Sequence, residues 1–92
     1  MIGSFSDEDA AHIFDGGRSR QYAGLERIIG RKLRAIQAAI ALPELAIPPG
    51  NRLEALRGDR KGQHSIRINQ QFRICFRWEG KYAYEIEIVD YH

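Results

Sequence analysis

Ninety-two residues suffice for one compact domain, spanning 1–92, and are too few for two, so any function must sit on the surface or in a shallow cleft of a single core. With 43% hydrophobic and 28% charged residues the composition is ordinary and globular, which excludes disorder, collagen-like repeats and a low-complexity tail. The net charge is only +2, but it is unevenly spread: the first fifteen residues carry Asp7, Glu8, Asp9 and Asp15 and no Lys or Arg, whereas residues 18–34 carry six basic residues against Glu26 alone. A basic surface is expected.

The opening Met-Ile-Gly-Ser-Phe-Ser-Asp-Glu-Asp has neither a positive leader nor an apolar run, and no stretch reaches the length of a membrane span, so a cytoplasmic location is expected. Cys75 is the only cysteine; it has no disulfide or zinc-ligand partner, and strand packing is its expected role.

Ile2 to Phe5 reads as a short first strand. Ser6 followed three residues later by Asp9 reads as a capping box for a helix starting near Asp7, with Ala10, Ile13 and Phe14 on one face and Gly16-Gly17 as the stop. From Tyr22 to Leu42 the apolar residues Leu25, Ile28, Ile29, Leu33, Ile36 and Ile40 recur at helical spacing, and Pro43 ends the run. Arg27, Arg31 and Arg34 fall on its other face, where they are either solvated or open to phosphates or an acidic partner. After the Pro48-Pro49-Gly50-Asn51 loop come strand-like runs at Arg52–Leu56, His64–Ile68, Phe72–Trp78 and Tyr82–Tyr91. Helices first and hairpins afterwards predict an α+β fold, with two helices packed on one face of a mostly antiparallel sheet and the other face open.

The hairpin between the second and third runs can be registered by parity. A three-residue loop at Asn69-Gln70-Gln71 pairs Ile68 with Phe72, Ile66 with Ile74 and His64 with Phe76 on one apolar face. Arg67 then opposes Arg73 on the other face, with Ser65 beside Cys75 and Arg77 further along. Opposed like charges cost roughly a few tenths of a kcal/mol, so the pair calls either for an anion between the two guanidiniums or for a carboxylate from the last strand. With Trp78 opposite Tyr82, parity puts Glu87 beside Arg73 and Glu85 near Cys75. Arginine suits the first option because it stays charged and grips phosphate oxygens in a fork.

Leu56-Arg57-Gly58-Asp59-Arg60-Lys61-Gly62 is a glycine-bounded basic turn of a kind that either binds phosphate or simply stays solvated. The sequence ends Val89-Asp90-Tyr91-His92, a carboxylate, a phenol and an imidazole, which are either the acid–base groups of a site or a tyrosine that finishes the core followed by a histidine that frays into solvent.

These residues carry a family resemblance. The run from Leu53 to Trp78, with its Leu-Arg-Gly-Asp-Arg-Lys-Gly and Phe-Arg-Ile segments, together with the terminal Asp90-Tyr91-His92, closely resembles HigB-type toxins, the plasmid maintenance killer proteins of the RelE-like superfamily. The likeness covers essentially the whole chain and is most specific in those segments. It implies a RelE-like fold and cleavage of messenger RNA during translation, in the decoding site of the small ribosomal subunit. It also implies a HigA-type helix-turn-helix antitoxin as partner, and no cofactor. By matching position it makes Arg73 the arginine that steadies the scissile phosphate and Asp90, Tyr91 and His92 the terminal catalytic group. Two positions depart from the pattern: Glu54 stands where some relatives have a catalytic histidine, and Phe72 where tryptophan is common.

The reaction expected is attack of a ribose 2′-hydroxyl on the adjacent phosphate without a metal. Arg73 stabilises charge, His92 with Asp90 moves protons and Tyr91 orients or stacks on a nucleotide. Arg57, Arg60, Lys61, Arg67 and Arg77 hold the RNA backbone. Three other readings stay open: a metal nuclease with Asp90 and His92 as ligands, a non-catalytic RNA- or antitoxin-binding module of the same fold, and an antitoxin-sequestering remnant with no activity.

Overall fold

A computed structural model describes residues 1–90; Tyr91 and His92, two members of the expected catalytic group, lie outside the described residues. Helix α1 spans Glu8–Phe14 and helix α2 Glu26–Ala38. The strands are β1 (Glu54–Ala55), β2 (Gln63–Arg67), β3 (Phe72–Glu79) and β4 (Tyr82–Asp90). They form one antiparallel sheet in the order β1-β2-β3-β4. The N-terminal segment adds parallel bridges from Ile2 to Ala83 and from Phe5 to Ile86 along the outer edge of β4.

The residue that caps α1 is Asp7 and not Ser6: its Oδ1 accepts the backbone N–H groups of Asp9 at 3.0 Å and Ala10 at 3.3 Å. A carboxylate at this position satisfies orphan donors and complements the helix dipole. The helix stops as expected, with Gly16 in the left-handed region at φ 90°. Helix α2 is shorter than its apolar periodicity suggests. Tyr22 to Leu25 are a turn, and Ala39 is already extended, so Ile40 is 63% exposed rather than part of the apolar face. The continuation through Pro43 is a 3-10 turn, Leu42–Ala46, which buries Leu45. The α2 residues Ile29, Leu33 and Ile36 pack with Ala10 and Ile13 of α1 over Ile66, Ile74, Phe76, Ala83, Ile86 and Ile88 of the sheet.

The β2–β3 hairpin has the expected register: Ile66 faces Ile74, His64 faces Phe76, and Arg67 faces Arg73. Asn69 closes the loop, its Oδ1 accepting the N–H groups of Gln71 at 2.8 Å and Phe72 at 2.7 Å. The β3–β4 register corrects the parity reading. Trp78 pairs with Ala83 and Glu79 with Tyr82, and the register shifts between Cys75 and Arg77. Glu85, at φ 57°, takes up the extra residue. Without that bulge Ile86 would oppose Cys75 and lose its place on the apolar face; with it, Ile86 and Ile88 return to the core. Glu87 consequently opposes Cys75, and Val89 opposes Arg73.

Ile74 is fully buried at the centre of the sheet against α2. Ile74→Ala is expected to lower the unfolding free energy by about 2–5 kcal/mol, read from urea denaturation. A loss below about 1 kcal/mol would mean that the helices are not packed on this face.

Candidate nucleic-acid interface

The sheet face turned away from the helices is only partly open. Ser65, Arg73 and Cys75 lie on it, yet all three are buried. From the turn after β1, Arg60 reaches over this face to Glu87 at 2.6 Å while donating to Gln63 Oε1 at 3.0 Å. What remains open lies at the β2–β3 hairpin end, where a cleft of about 380 Å³ is lined by Arg52, Arg67, Asn69, Gln70 and Arg73.

Arg73 forms the floor of this cleft and is 7% exposed. Its Nε donates to Ser65 Oγ at 2.7 Å, its Nη2 donates to the carbonyls of Arg52 at 2.5 Å and Ser65 at 3.4 Å, and Glu54 Oε1 lies 3.2 Å from the same nitrogen. Among the described residues, the carboxylate ion-paired with Arg73 comes from β1, not from Glu87 of β4 as parity suggested: Glu87 is engaged by Arg60. Burial and these bonds fix the plane of the guanidinium. Arg67 stands across from it and donates from Nε to the Asn69 carbonyl at 3.0 Å. Arg52 holds its left-handed conformation at φ 47° at the end of the Pro49–Asn51 turn. The cationic field extends toward α2: burial first, then Arg31 and Arg67, lower the pKa of the Lys32 amine, which donates to Asn51 Oδ1 at 2.5 Å.

The other sequence-predicted positions are spread around this cleft. Asp90 ends β4 opposite Phe72, at the same end of the sheet as Arg73 but at a position of the other parity, and its Oδ2 accepts from Gln71 Nε2 at 3.1 Å. Arg57 and Lys61 are exposed at either side of the Gly58–Arg60 turn. Arg60 is tied to Glu87, whose hydrogen bond raises the arginine's pKa. Arg77 pairs with Glu79 and lies 3.7 Å from Glu85, with its guanidinium 5.0 Å from the centre of the Tyr84 ring. The structure thus gathers Arg67 and Arg73 at the cleft, sets Asp90 at the adjoining strand end, and holds Arg60 and Arg77 against carboxylates. Sequence reasoning missed Arg52, Ser65 and Gln71. Nothing in their spacing marks them, because each reaches the site through a loop or a cross-strand contact.

Two helices on one face of an antiparallel sheet, with an arginine-lined cleft at the hairpin end of the other, define a small α+β protein with a cationic cleft. The chain belongs to the HigB-like toxin family, the RelE-like toxins of type II toxin–antitoxin systems, whose family model matches residues 3–92. It is 48% identical over 56 residues to Toxin HigB-1 of Vibrio cholerae, a match spanning 61% of this chain and 59% of that toxin. It is 34% identical over 98 residues to Endoribonuclease HigB of Proteus vulgaris, across the full length of both chains. An uncharacterized protein of Haemophilus influenzae is 35% identical over 78 residues, 83% of this chain and 77% of that one. Membership of a toxin–antitoxin family implies an antitoxin partner. No helix among the described residues is long and apolar enough to cross a membrane.

Two stability predictions follow from the geometry. Ser65→Ala leaves the Arg73 Nε, inside the protein, without its 2.7 Å acceptor, and is expected to cost about 1–3 kcal/mol in urea denaturation; a neutral result would mean that water or another group already serves that nitrogen. Alkaline pH tests a second feature. Burial raises the pKa of the Cys75 thiol above its ordinary value, more than Arg60 beside it lowers it. Burial likewise raises that of the Tyr22 phenol. Both groups ionise more readily unfolded, so their contribution to stability is complete below the unfolded pKa and is lost as pH rises toward the folded one. The urea midpoint is expected to fall from about pH 8.5 upward, with the first part of the fall absent in Cys75→Ala.

Proposed function

We propose that this toxin is a metal-independent endoribonuclease that acts in the cytoplasm, cutting messenger RNA in the decoding site of the small ribosomal subunit until a HigA-type antitoxin silences it. The observation that carries the reading is the cleft of Arg52, Arg67 and Arg73 at the sheet end where β4 delivers Asp90. Three guanidiniums around one cleft fit a phosphodiester. RNA provides, next to each phosphate, the 2′-hydroxyl that can attack it.

In this mechanism the cleft arginines hold the non-bridging oxygens, and Arg73, already immobilised, opposes the charge that grows on them. The 2′-oxygen forms its bond to phosphorus as its proton passes to a base. The bond to the 5′-oxygen breaks as that oxygen takes a proton from an acid, leaving a cyclic phosphate and a 5′-hydroxyl. His92, supported by Asp90, is one proton carrier. Glu54 is the second: a phosphate drawn onto Arg73 competes with its carboxylate, now 3.2 Å from the guanidinium, and frees it to act. Tyr91 orients or stacks on a nucleotide. Arg57 and Lys61 hold the flanking backbone, with Arg60 and Arg77 around them. With few acid–base groups the enzyme depends on the ribosome to align the 2′-oxygen.

The test is to map messenger RNA 5′ ends after induction, in cells and in a purified translation reaction containing excess EDTA. Cuts spaced by the reading frame and lost when translation is blocked are the expected result. His92→Ala is expected to lower cleavage by about 10²-fold or more while keeping antitoxin binding. Arg67→Ala is expected to raise KM and to reduce the salt dependence of RNA binding. Growth inhibition that survives His92→Ala would point instead to a non-catalytic binding module. Cleavage abolished by EDTA would point to a metal nuclease.

A further inference from the structure

The carboxylate of Asp7 has two tasks that lie 81 positions apart in sequence. Through Oδ1 it caps α1; through Oδ2 it accepts the backbone N–H of Ile88 at 3.0 Å. The second contact continues a ladder. Along the outer edge of β4 the main chain of the N-terminal segment pairs as far as it can, Ile86 N–H to the Ser4 carbonyl at 3.1 Å and Ser6 N–H to the Ile86 carbonyl at 3.0 Å. There the segment turns away into α1, and the next outward N–H on β4, that of Ile88, meets a side chain where a strand would have offered a carbonyl. This fixed point lies two residues before Asp90.

The surroundings of Asp7 tie it to the same strand end. Tyr22, buried, packs edge-on against Phe72 at 5.2 Å between ring centres, and Phe72 is the cross-strand partner of Asp90. The negative charges acting on the Tyr22 hydroxyl, in decreasing order, are those of Asp7, Asp9, Asp90 and Glu87. The start of α1, the turn before α2 and the last residues of β4 therefore converge.

We propose that Asp7 is a positioning residue for the terminal acid–base group. By pinning Ile88 while it caps α1, it fixes the direction in which β4 presents Asp90 at the sheet end beside the cleft. The proposal rests on the catalytic reading of the terminus given above. A hydrogen bond that holds a strand end acts on the rate through alignment, so its loss lowers kcat and leaves substrate capture by the cleft arginines intact.

Asp7→Ser separates the two tasks, because serine caps a helix about as well as aspartate but is too short to extend from the cap to the Ile88 N–H. Ribosome-dependent cleavage by Asp7→Ser is expected to show kcat reduced about ten- to a hundredfold, with KM within about twofold and the melting temperature lowered by less than in Asp7→Ala. Amide exchange at Ile88 should quicken in the same variant. Asp7→Ala should lose the rate and the melting temperature together. Native kcat in Asp7→Ser, or unchanged exchange at Ile88, overturns the positioning role. Asp90→Ala is the control: if it cleaves normally, the catalytic reading of the terminus fails and the proposal fails with it. If Asp90→Ala is impaired and Asp7→Ser is not, only the proposal fails.

Discussion

A guanidinium withdrawn from water keeps its charge and must be met by acceptors wherever it faces the protein. Arg73 imposes that requirement on the whole cleft. Its partners include a hydroxyl and a carbonyl on β2, a carbonyl at the end of the 49–51 turn and a carboxylate on β1, so one side chain on β3 draws three other segments into place. The two-residue β1 has little hydrogen bonding of its own to hold it. The contact of Glu54 with this cation adds to the ladder.

The same arrangement explains how a protein with a net charge of only +2 can present a cationic cleft. Around the sheet, carboxylates are distributed so that Arg60 and Arg77 are compensated by Glu87, Glu79 and Glu85, while Arg52, Arg67 and Arg73 share one cleft whose nearest ion-paired carboxylate is Glu54. Among the described residues, the carboxylate on the buried Arg73 guanidinium is that of the half-exposed Glu54, whereas Arg77 has two carboxylates near it.

Opposite the cleft, the helices act as a platform. The apolar face of α2 lies over β2, β3 and β4, and the N-terminal segment seals the outer edge of β4 before turning into α1. Chain entry and chain exit are thereby neighbours. The strand that ends in Asp90 is held on one side by β3 and on the other by the first residues of the protein.

The sequence by itself determined the class of fold, the β2–β3 register and the family. Period-two alternation in the His64–Ile68 and Phe72–Trp78 runs and the Asn69 loop admit one pairing that leaves a single apolar face, and local rules suffice to find it. The segments around Arg57–Gly62 and Phe72–Ile74 carry the resemblance without any coordinates. Only the tertiary structure decided which carboxylate answers which arginine, that the opposite face is half covered, and that Arg52 and Ser65 meet Arg73 while Asp7 meets Ile88. The β3–β4 turn and the bulge at Glu85 are the reason for part of this: the turn pairs Glu79 with Tyr82, the bulge restores the face that the turn alone would reverse, and Glu87 ends two positions from where parity put it, opposite Cys75, with no local signal in β4 to announce it. The remainder follows from side chains such as Arg60 and Asp7, which reach across the fold to partners far away in sequence, where periodicity and spacing carry no information.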